Sequence, residues 1–568
     1  MAESRYTVAD YLLDRLVELG VGTMFGVPGD FTLGFLDHAD AHPDLEWVGT
    51  ANELDAGYAA DGYARMQGFG VVCTTFGVGE LSAINAIAGA YAEHVPVLHL
   101  VGSPTEAVQA AGRPTHHSLG DGDFDHTIRM AGEVTVAQSM LTADTATTEI
   151  DRVLAAMVAR SQPGYLSLPA DVAEAPCAPP ATPLIVQTVC TDPTVLRRFS
   201  GAARRLLSDR SPVVLADIFV HRAGAQEELD QLIDVGGLQY ASLLWGRRVV
   251  DESGPGYLGV YVGSASGPEV REAVEDAPVL VTVGVYFTDL ISGQFSQRLD
   301  ADRRIDIQPH TAVVGGEVFS HIEMRDALCV LADLVPHGGP ATVLEPQRPA
   351  MVAVDAEAPL TQESLWSTVA ASLTSNDTVL AEQGTSYYGM AAHRLPHGTI
   401  FIGQPLWASI GYTLPAMLGA ALAAPDRRPV LLIGDGAAQM TAAELGTIIR
   451  LRVPAVIVVV NNSGYTVERA IHGPTMSYND IAPWRWTLLP YALGGDGGSA
   501  RTHHATTVAE LAGALVDATM HPDALVIIEA VTAADDVPPV LASVARAAAQ
   551  ANSAPTCRPV QDRAITPR

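Results

Sequence analysis

The chain has 568 residues, of which 17% are charged and 48% are apolar, and its formal net charge is -31. This length is too great for one hydrophobic core, so we expect about three domains. The composition is typical of a well-buried globular enzyme and excludes a largely disordered chain. A strongly acidic surface repels phosphate backbones and anionic membranes, which argues against a nucleic-acid partner, although acidity is also an ordinary route to solubility.

The cysteines and the N-terminus indicate the compartment. The five cysteines are scattered and form no C-x-x-C pair, which predicts ordinary thiols instead of a disulfide framework or a zinc site. The N-terminus lacks a signal-type apolar stretch, and no apolar run is long enough to span a bilayer. We therefore expect a cytoplasmic protein with no membrane partner.

The predicted elements alternate between helices and strands. The first is an amphipathic helix, with Thr7 as its candidate N-cap and Gly20 as its stop signal. Apolar runs at 212–216, 278–283 and 456–460 then predict short buried strands. Because such alternation favours parallel sheets with helices on both faces, we predict an α/β fold.

Two proline-rich stretches, at 174–183 and at about 335–359, resemble linkers. We therefore predict domains at 1–180, 190–340 and 355–552. Segment 553–568 is polar and contains prolines, and we expect it to be a disordered tail.

A faint internal repeat relates the outer domains. Gly77-Val-Gly79 opens a helical stretch that ends at Val95-Pro96, and Gly434-Asp-Gly436 opens another that ends at Val453-Pro454. An apolar strand pattern follows each proline. This repeat predicts that the outer domains share a fold and face each other.

The strongest chemical signal is Gly434-Asp-Gly436 after one predicted strand, with Asn461-Asn-Ser-Gly464 at the end of the next. A carboxylate, an amide oxygen and a backbone carbonyl are hard ligands that suit Mg²⁺ shared with a diphosphate. The glycines allow backbone N–H groups to approach phosphate oxygens. The tripeptide alone fits a plain turn, but Asn462 follows Asp435 by 27 residues at the end of an apolar strand, and this context favours a ligand site at the carboxyl edge of the sheet.

With these motifs, the sequence resembles the pyruvate decarboxylase group of thiamine diphosphate enzymes. The resemblance covers nearly the whole chain and is closest to the indolepyruvate and branched-chain 2-oxo acid decarboxylases. Its further motifs are Gly26-Val-Pro-Gly-Asp-Phe31, Glu53, Thr115-His-His117, Ala381-Glu-Gln-Gly-Thr-Ser386, Gly403-Gln-Pro-Leu-Trp407, Ser409-Ile-Gly-Tyr412 and Asn462-Ser-Gly-Tyr-Thr-Val-Glu468.

The resemblance implies three doubly wound parallel-sheet α/β domains. They are a pyrimidine-binding domain, a middle domain and a diphosphate-binding domain. It implies thiamine diphosphate and Mg²⁺ as cofactors, with Asp435, Asn462 and Gly464 as metal ligands. The implied cofactor-binding residues are Glu53, Ile410, Gly434, Asp435, Gly436, Ala437, Asn462, Gly464 and Tyr465. Self-association as a dimer or a dimer of dimers follows if the two outer domains share one cofactor.

The catalytic roles that the resemblance implies divide between the two outer domains. Glu53 exchanges a proton with pyrimidine N1′, and Ile410 wedges the cofactor into its bent form. Asp30 and the pair His116-His117 handle protons around the intermediate. Glu468 lies near the substrate carboxylate and helps to return a proton after CO₂ leaves.

By family position, the substrate pocket is lined by Gln383, Tyr387, Tyr388, Leu290, Val467, Ile471, Val544 and Ala548. The last two residues are small and leave volume for a bulky 2-oxo acid. We expect indolepyruvate or phenylpyruvate to be preferred, then branched-chain acids, with pyruvate poor. An apolar pocket separates such acids only weakly, so several should react.

Some features depart from the family pattern or leave alternatives open. Ala437 and Ala438 replace a hydroxyl-bearing neighbour but leave the metal ligands intact. Segment 215–221 lacks the cysteine of some yeast-type enzymes, so we expect no thiol-mediated activation. No G-x-G-x-x-G follows a strand in the middle domain, which argues against a flavin oxidase. A carboligase, a pyruvate-type decarboxylase and a non-catalytic subunit remain the alternatives.

Overall fold

The computed structural model describes residues 6–186, 190–208, 210–338 and 356–553. Their three sheets follow one another along the chain and are covered by helices. The predicted tail from residue 554 onward, and most of the second predicted linker, lie outside the described residues. Within these ranges, no helix combines the length and the apolar character that a membrane crossing requires.

The first sheet has six parallel strands in the order β2-β1-β3-β4-β6-β5. Its strands are β1 (Thr23–Gly26), β2 (Glu46–Gly49), β3 (Gly70–Thr75), β4 (Val97–Ser103), β5 (Ala137–Met140) and β6 (Gly164–Pro169). Its helices are α1 (Val8–Glu18), α2 (Leu33–Ala41), α3 (Glu53–Gln67), α4 (Val78–Ala92), α5 (Glu106–Ala110), α6 (His126–Ala131), α7 (Ala146–Arg160) and α8 (Ala170–Ala173). Thr7 caps α1 as predicted, since its side chain accepts the Asp10 N–H.

The middle sheet has seven strands in the order β13-β12-β11-β10-β7-β8-β9. Its strands are β7 (Val213–Ala216), β8 (Gln239–Ser242), β9 (Tyr257–Val260), β10 (Leu280–Val283), β11 (Arg304–Gln308), β12 (Thr311–Val314) and β13 (Glu317–Ser320). Its helices are α9 (Pro193–Leu207), α10 (Phe219–Arg222), α11 (Gln226–Gly236), α12 (Pro268–Glu275) and α13 (Met324–Leu334).

One edge of the middle sheet adds two antiparallel strands to the predicted parallel arrangement. Strand β12 pairs antiparallel with both β11 and β13. Gly315 and Gly316 connect β12 to β13 and have φ angles of 52° and 84°. Two consecutive residues of positive φ form the tight turn that joins antiparallel strands, so the Gly-Gly pair in the sequence carried this signal.

The third sheet has six parallel strands in the order β15-β14-β16-β17-β19-β18. Its strands are β14 (Asp377–Ala381), β15 (Ile400–Ile402), β16 (Arg428–Gly434), β17 (Ala455–Asn461), β18 (Ala500–Ala505) and β19 (Leu525–Val531). Its helices are α14 (Gln362–Ser372), α15 (Thr385–Gly389), α16 (Thr413–Ala423), α17 (Asp435–Thr441), α18 (Glu444–Arg450), α19 (Thr466–His472), α20 (Leu489–Ala492), α21 (Val508–Met520) and α22 (Pro539–Ser553).

The first and third sheets have the same topology. Counted from the first strand of each sheet, both orders read second, first, third, fourth, sixth, fifth. The third and fourth strands are joined by α4 in one sheet and by α17 and α18 in the other. These are the segments in which the sequence repeat was found, so the prediction of a shared fold is confirmed.

Helices α3 and α16, which precede the third strand of their sheets, pack directly against each other. A Cβ atom at Gly62 would lie 2.1 Å from the Ala416 carbonyl oxygen, and one at Gly419 would lie 1.8 Å from that of Ala59. The two backbones therefore approach more closely than any side chain would allow. Within one chain, this contact joins the N-terminal and C-terminal domains.

Candidate active site

A cavity of about 280 Å³ lies at the carboxyl edge of the third sheet, where β14, β16 and β17 end. Ligands of open α/β sheets bind at this edge. Its lining divides into a polar end and an apolar end. The residues of the polar end include Glu382, Gln383, Ser386, Gly434, Asp435, Gly436, Ala437, Asn462 and Gly464.

Asp435 is the first residue of α17 and is only 2% exposed. Its Oδ1 accepts the Gly436 N–H at 2.8 Å, and its Oδ2 accepts the Gly464 N–H at 3.1 Å. Burial raises the pKa of Asp435 to about 6, and the backbone N–H donors oppose this shift. The carboxyl group thus links the loops that follow β16 and β17.

An amide oxygen and a backbone carbonyl oxygen lie close to this carboxyl group. The Asn462 amide oxygen lies 2.8 Å from the Gly464 carbonyl oxygen and 3.2 Å from Asp435 Oδ1. Turning the amide over would place an NH₂ group there, which would donate to both oxygens. With the amide oxygen inward, the three oxygens repel one another unless a cation lies between them. These are the three predicted metal ligands, and the structure brings them together.

The loop that carries Asn462 and Gly464 is held by a buried arginine that sequence reasoning did not identify. Arg469 donates to the carbonyl oxygens of Asn462 and Ser463 at 3.1 Å and 2.7 Å. Gly464 has a φ of 129°, and a Cβ there would lie 2.1 Å from the Asn479 carbonyl oxygen. The loop therefore requires glycine, and Arg469 satisfies its carbonyls. In the sequence, the only available signal for this role was that an arginine follows the ligand-bearing loop by about one helical turn.

Glu382 and Gln383 extend the polar end at the carboxyl end of β14. Burial raises the pKa of Glu382 to about 7, against the opposing effect of hydrogen bonds from Thr413. Gln383 donates to the Tyr388 hydroxyl at 3.2 Å, and its buried Oε1 has no protein partner among the described residues. An unpaired buried amide oxygen is costly, and a ligand donor in the cavity would satisfy it.

The apolar end of the cavity includes residues from three parts of the chain. The middle domain contributes Leu290, whose carbonyl oxygen accepts the Tyr388 hydroxyl at 3.4 Å. Helix α19 contributes Val467 and Ile471. The last helix, α22, contributes Leu541, Val544, Ala545 and Ala548, of which the prediction had named two.

Tyr387, which the sequence places in the pocket wall, does not line this cavity. Its ring is fully buried and lies 5.7 Å from that of Phe401, centroid to centroid. A Cβ at Gly403 would lie 2.3 Å from the same ring. Because Tyr387 and Tyr388 are adjacent on the short helix α15, their side chains point in different directions, and only Tyr388 faces the cavity.

Ile410, Tyr465 and Glu468 also line the cavity, as predicted for residues near the cofactor or the substrate. Tyr465 packs on Gly436, where a Cβ would lie 2.6 Å from its ring. Glu468 lies on α19 and is exposed, so its carboxyl group remains in contact with solvent.

The predicted proton-handling residues form a separate group at the edge of the first sheet. His116 Nε2 lies 3.0 Å from Asp30 Oδ2, and these side chains are 57% and 52% exposed. The Phe31 ring stacks on His116 at 5.0 Å. One ligand atom each from Asp30, His116 and His117 lies within 4.8 Å of the others. The structure therefore brings the three residues together but leaves them open to solvent.

Glu53 begins α3, after the Asn52 side chain caps the helix by accepting the Asp55 N–H. Glu53 Oε1 lies beside Gly79 of α4, 3.2 Å from where a Cβ would stand. The C-terminal domain holds this helix start, because Glu444 accepts the Ala51 N–H at 2.9 Å. Neither Glu53 nor the group around Asp30 lines the cavity of the same chain.

Comparisons with known proteins follow the same division into three parts. Three thiamine pyrophosphate enzyme domains match the chain: the N-terminal TPP binding domain at residues 6–127, the central domain at 199–328 and the C-terminal TPP binding domain at 384–529. The chain is 53% identical over 547 residues to an alpha-keto-acid decarboxylase of Mycobacterium avium (strain 104), covering 96% of this chain and 97% of the relative. A second relative of the same description, from Mycobacterium ulcerans (strain Agy99), is 54% identical over 94% of this chain and 95% of its own length.

The fold is also similar to a solved structure from Mycobacterium smegmatis that is described as a thiamin diphosphate-dependent enzyme. The TM-score is 0.76 at 22% identity, and the match covers 93% of this chain and 99% of the other. This likeness supports the arrangement of three α/β domains.

Proposed function

The chain belongs to the thiamine diphosphate-dependent 2-oxo acid decarboxylases, and from this premise we propose that its substrate is a bulky 2-oxo acid, converted to CO₂ and the aldehyde one carbon shorter. The observation that carries the proposal is the two-ended cavity. Its polar end offers the oxygen ligands of Asp435, Asn462 and Gly464, and its apolar end is lined by aliphatic side chains that suit an apolar substrate side chain.

The polar end fits a Mg²⁺ ion bound together with a diphosphate. A carboxylate, an amide oxygen and a backbone carbonyl are suitable ligands, and the Asn462 amide lies within 3.2 Å of both the Asp435 carboxylate and the Gly464 carbonyl oxygen. Gly436 and Ala437 line the same end without a side chain that would block a phosphate group. When bound, the cofactor supplies the nucleophilic carbon and the electron sink of decarboxylation.

Glu468 is the carboxyl group that we assign to proton transfer near the reacting carbon. It lines the cavity from α19, the helix that follows the metal loop and also carries Val467 and Ile471 of the apolar wall. From this position its carboxyl oxygens can donate a proton to the substrate-derived carbon once CO₂ has left. Its exposure to solvent allows it to be reprotonated between turnovers.

We propose that the remaining proton-handling residues act at the cavity of a second chain. Glu53, Asp30, His116 and His117 do not line the cavity of their own chain, although the group at Asp30 is exposed at the edge of the first sheet. A homodimer in which the first sheet of one chain covers the cavity of the other would complete each site. We propose this dimer, with a dimer of dimers as a further assembly.

The dimer is tested by mixing two inactive variants, Glu53→Gln and Asp435→Ala. Each mixed dimer would contain one site with both residues intact, so random exchange restores activity at about a quarter of all sites. Subunit exchange is followed independently with a mass-tagged chain. If mixed dimers form and remain inactive, both residues act within the same chain and the shared site is wrong.

The substrate proposal is tested with the purified protein, thiamine diphosphate and Mg²⁺, following aldehyde release from a panel of 2-oxo acids. We expect kcat/KM for indolepyruvate or phenylpyruvate to exceed that for pyruvate by roughly tenfold or more, with branched-chain acids between them. The Glu468→Gln variant, whose turnover we expect to be strongly lowered, serves as the matched control. A preference for pyruvate would contradict the proposed substrate class and leave the decarboxylase assignment intact.

A further inference from the structure

Ile410 lies in a turn whose backbone has two residues of positive φ. Ala408 has a φ of 54° and Gly411 a φ of 91°. A Cβ at Gly411 would lie 2.9 Å from Met440 Cβ and 3.1 Å from the Ala437 carbonyl oxygen, both on α17. The turn between Ala408 and Thr413 is therefore pressed against the helix that begins with Asp435. Such a backbone persists only where surrounding groups hold it.

Glu382 holds one side of this turn. It follows β14, is only 3% exposed, and its Oε2 accepts the Thr413 hydroxyl at 2.5 Å and the Thr413 N–H at 3.2 Å. The Gly411 N–H also interacts with this carboxyl group and opposes the rise of its pKa. That N–H belongs to the peptide bond between Ile410 and Gly411, so the carboxylate fixes the backbone at the residue that enters the cavity.

Thr441 holds the other side. It is the last residue of α17, is 2% exposed, and its hydroxyl donates to the Gly411 carbonyl oxygen at 2.8 Å. The Gly411 carbonyl oxygen is thus bonded to Thr441, while the Gly411 N–H interacts with Glu382 from a different element. Because α17 also begins with Asp435, one short rigid helix connects the proposed metal site to the turn that carries Ile410.

We propose that Glu382 and Thr441 are positioning residues, which set the place of the Ile410 side chain relative to the metal and diphosphate end of the cavity. This inference rests on the proposed role of Ile410 in shaping the bound cofactor. In the chain itself, the two residues act through the backbone of the turn. Their loss would let Ile410 move while Asp435, Asn462 and Gly464 keep their ligand atoms.

The test uses Thr441→Val, which keeps the shape of the side chain and removes the hydroxyl, and Glu382→Gln, whose amide nitrogen cannot accept an N–H. Two measurements are made on the full-length protein. The first is the affinity of the cofactor-free protein for thiamine diphosphate with Mg²⁺, by calorimetry. The second is the rate of C2 proton exchange of the bound cofactor, without substrate. We expect both variants to bind less tightly and to exchange more slowly, by roughly tenfold, as for the loss of a buried hydrogen bond.

Three further variants separate positioning from simple destabilisation. Thr441→Ser restores the hydroxyl and should recover exchange to within about twofold of wild type. Thr135→Val removes a buried hydroxyl that donates to the Ala131 carbonyl oxygen at 2.7 Å in the N-terminal domain. It should lower thermal stability comparably without changing the exchange rate. Ile410→Ala reports on the proposed role of Ile410 itself.

The outcomes distinguish this inference from the proposed function. If Ile410→Ala slows exchange while Thr441→Val and Glu382→Gln exchange at the wild-type rate, the positioning inference is wrong and the role of Ile410 stands. If Ile410→Ala also exchanges normally, the role of Ile410 fails, and the inference built on it fails too. Slow exchange in Thr441→Val with recovery in Thr441→Ser supports the inference.

Discussion

The first and third sheets share their strand order. They differ in the turn that leads from the third strand of each sheet into the next helix. The first sheet passes from β3 into α4 through Gly77, and the third passes from β16 into α17 through Gly434. Three residues later stand Glu80 and Ala437 respectively. Glu80 Oε1 accepts the Gly77 N–H at 2.7 Å, and its Oε2 accepts the Tyr165 hydroxyl at 2.8 Å. The turn at Gly77 is therefore closed by the side chain of Glu80.

The turn at Gly434 has no such closure, because alanine at position 437 offers no acceptor. It lines the cavity instead, and the adjacent Asp435 binds the Gly464 N–H across to the next strand. The comparison teaches that a repeated fold can be specialised by the residue at the third helical position. A capping carboxylate gives a structural turn, and its absence leaves a turn that can receive an anion.

We expect the largest effect on cofactor affinity when the carboxylate of Asp435, in the turn at Gly434, is removed. Asp435→Ala should weaken the binding of thiamine diphosphate with Mg²⁺ by roughly 100-fold or more, because the metal loses its charged ligand. Calorimetry on the cofactor-free protein measures this. Asp517→Ala is the control, since that carboxylate pairs with Arg501 in the same domain. Unchanged affinity in Asp435→Ala would remove the proposed metal site.

Introducing a capping carboxylate into the turn at Gly434 tests the comparison between the two turns directly. Ala437→Glu places a carboxylate where Glu80 stands in the other repeat, so that it can accept the Gly434 N–H and repel a diphosphate. We expect the cofactor affinity to fall by roughly tenfold to 100-fold while the protein remains folded. Ala443→Glu adds the same charge at an exposed position of this domain and should bind normally. Equal affinities in the two variants would show that the third helical position does not decide the function of the turn.

Two glutamates separate the roles of the two domains. Glu468→Gln should retain the affinity for cofactor and Mg²⁺ but lower kcat by roughly 100-fold, because its carboxyl group faces the substrate end of the cavity. Glu53→Gln should instead slow C2 proton exchange in the absence of substrate. Both kcat and the rate of C2 proton exchange are measured in each of the two variants. Exchange that is equally slow in Glu468→Gln would contradict this division of labour.

The smallest effect concerns the apolar end of the cavity at the third sheet. Val544→Phe adds volume to a 2%-exposed wall residue of the cavity, so kcat/KM should fall for indolepyruvate relative to a short 2-oxo acid, by roughly tenfold. Val516→Phe, at an exposed position of α21, serves as the control for added bulk. An unchanged ratio would mean that the substrate side chain lies elsewhere.

Local signals in the sequence predicted most of the fold and the polar end of the site. Thr7 marked the start of α1, and the repeated glycine and proline positions predicted that the outer domains share a fold. The Gly-Asp-Gly turn and the Asn-Asn pair each follow a predicted strand. Because neighbouring parallel strands end at the same sheet edge, this pattern predicted that Asp435 and Asn462 lie there together. The antiparallel edge at Gly315-Gly316 was missed, because alternation along the whole chain outweighed one turn signal.

What the sequence by itself determined is what local chemistry specifies: the alternation of elements, the type of each ligand and the position of glycines that no side chain can replace. Only the tertiary structure showed that Tyr388 faces the cavity while Tyr387 does not, and that Arg469 and Glu382 hold the loops of the site. It also showed that Glu53 and His116 lie away from the cavity of their own chain. The physical reason is that these relations depend on packing between segments far apart in the chain, which no local pattern encodes.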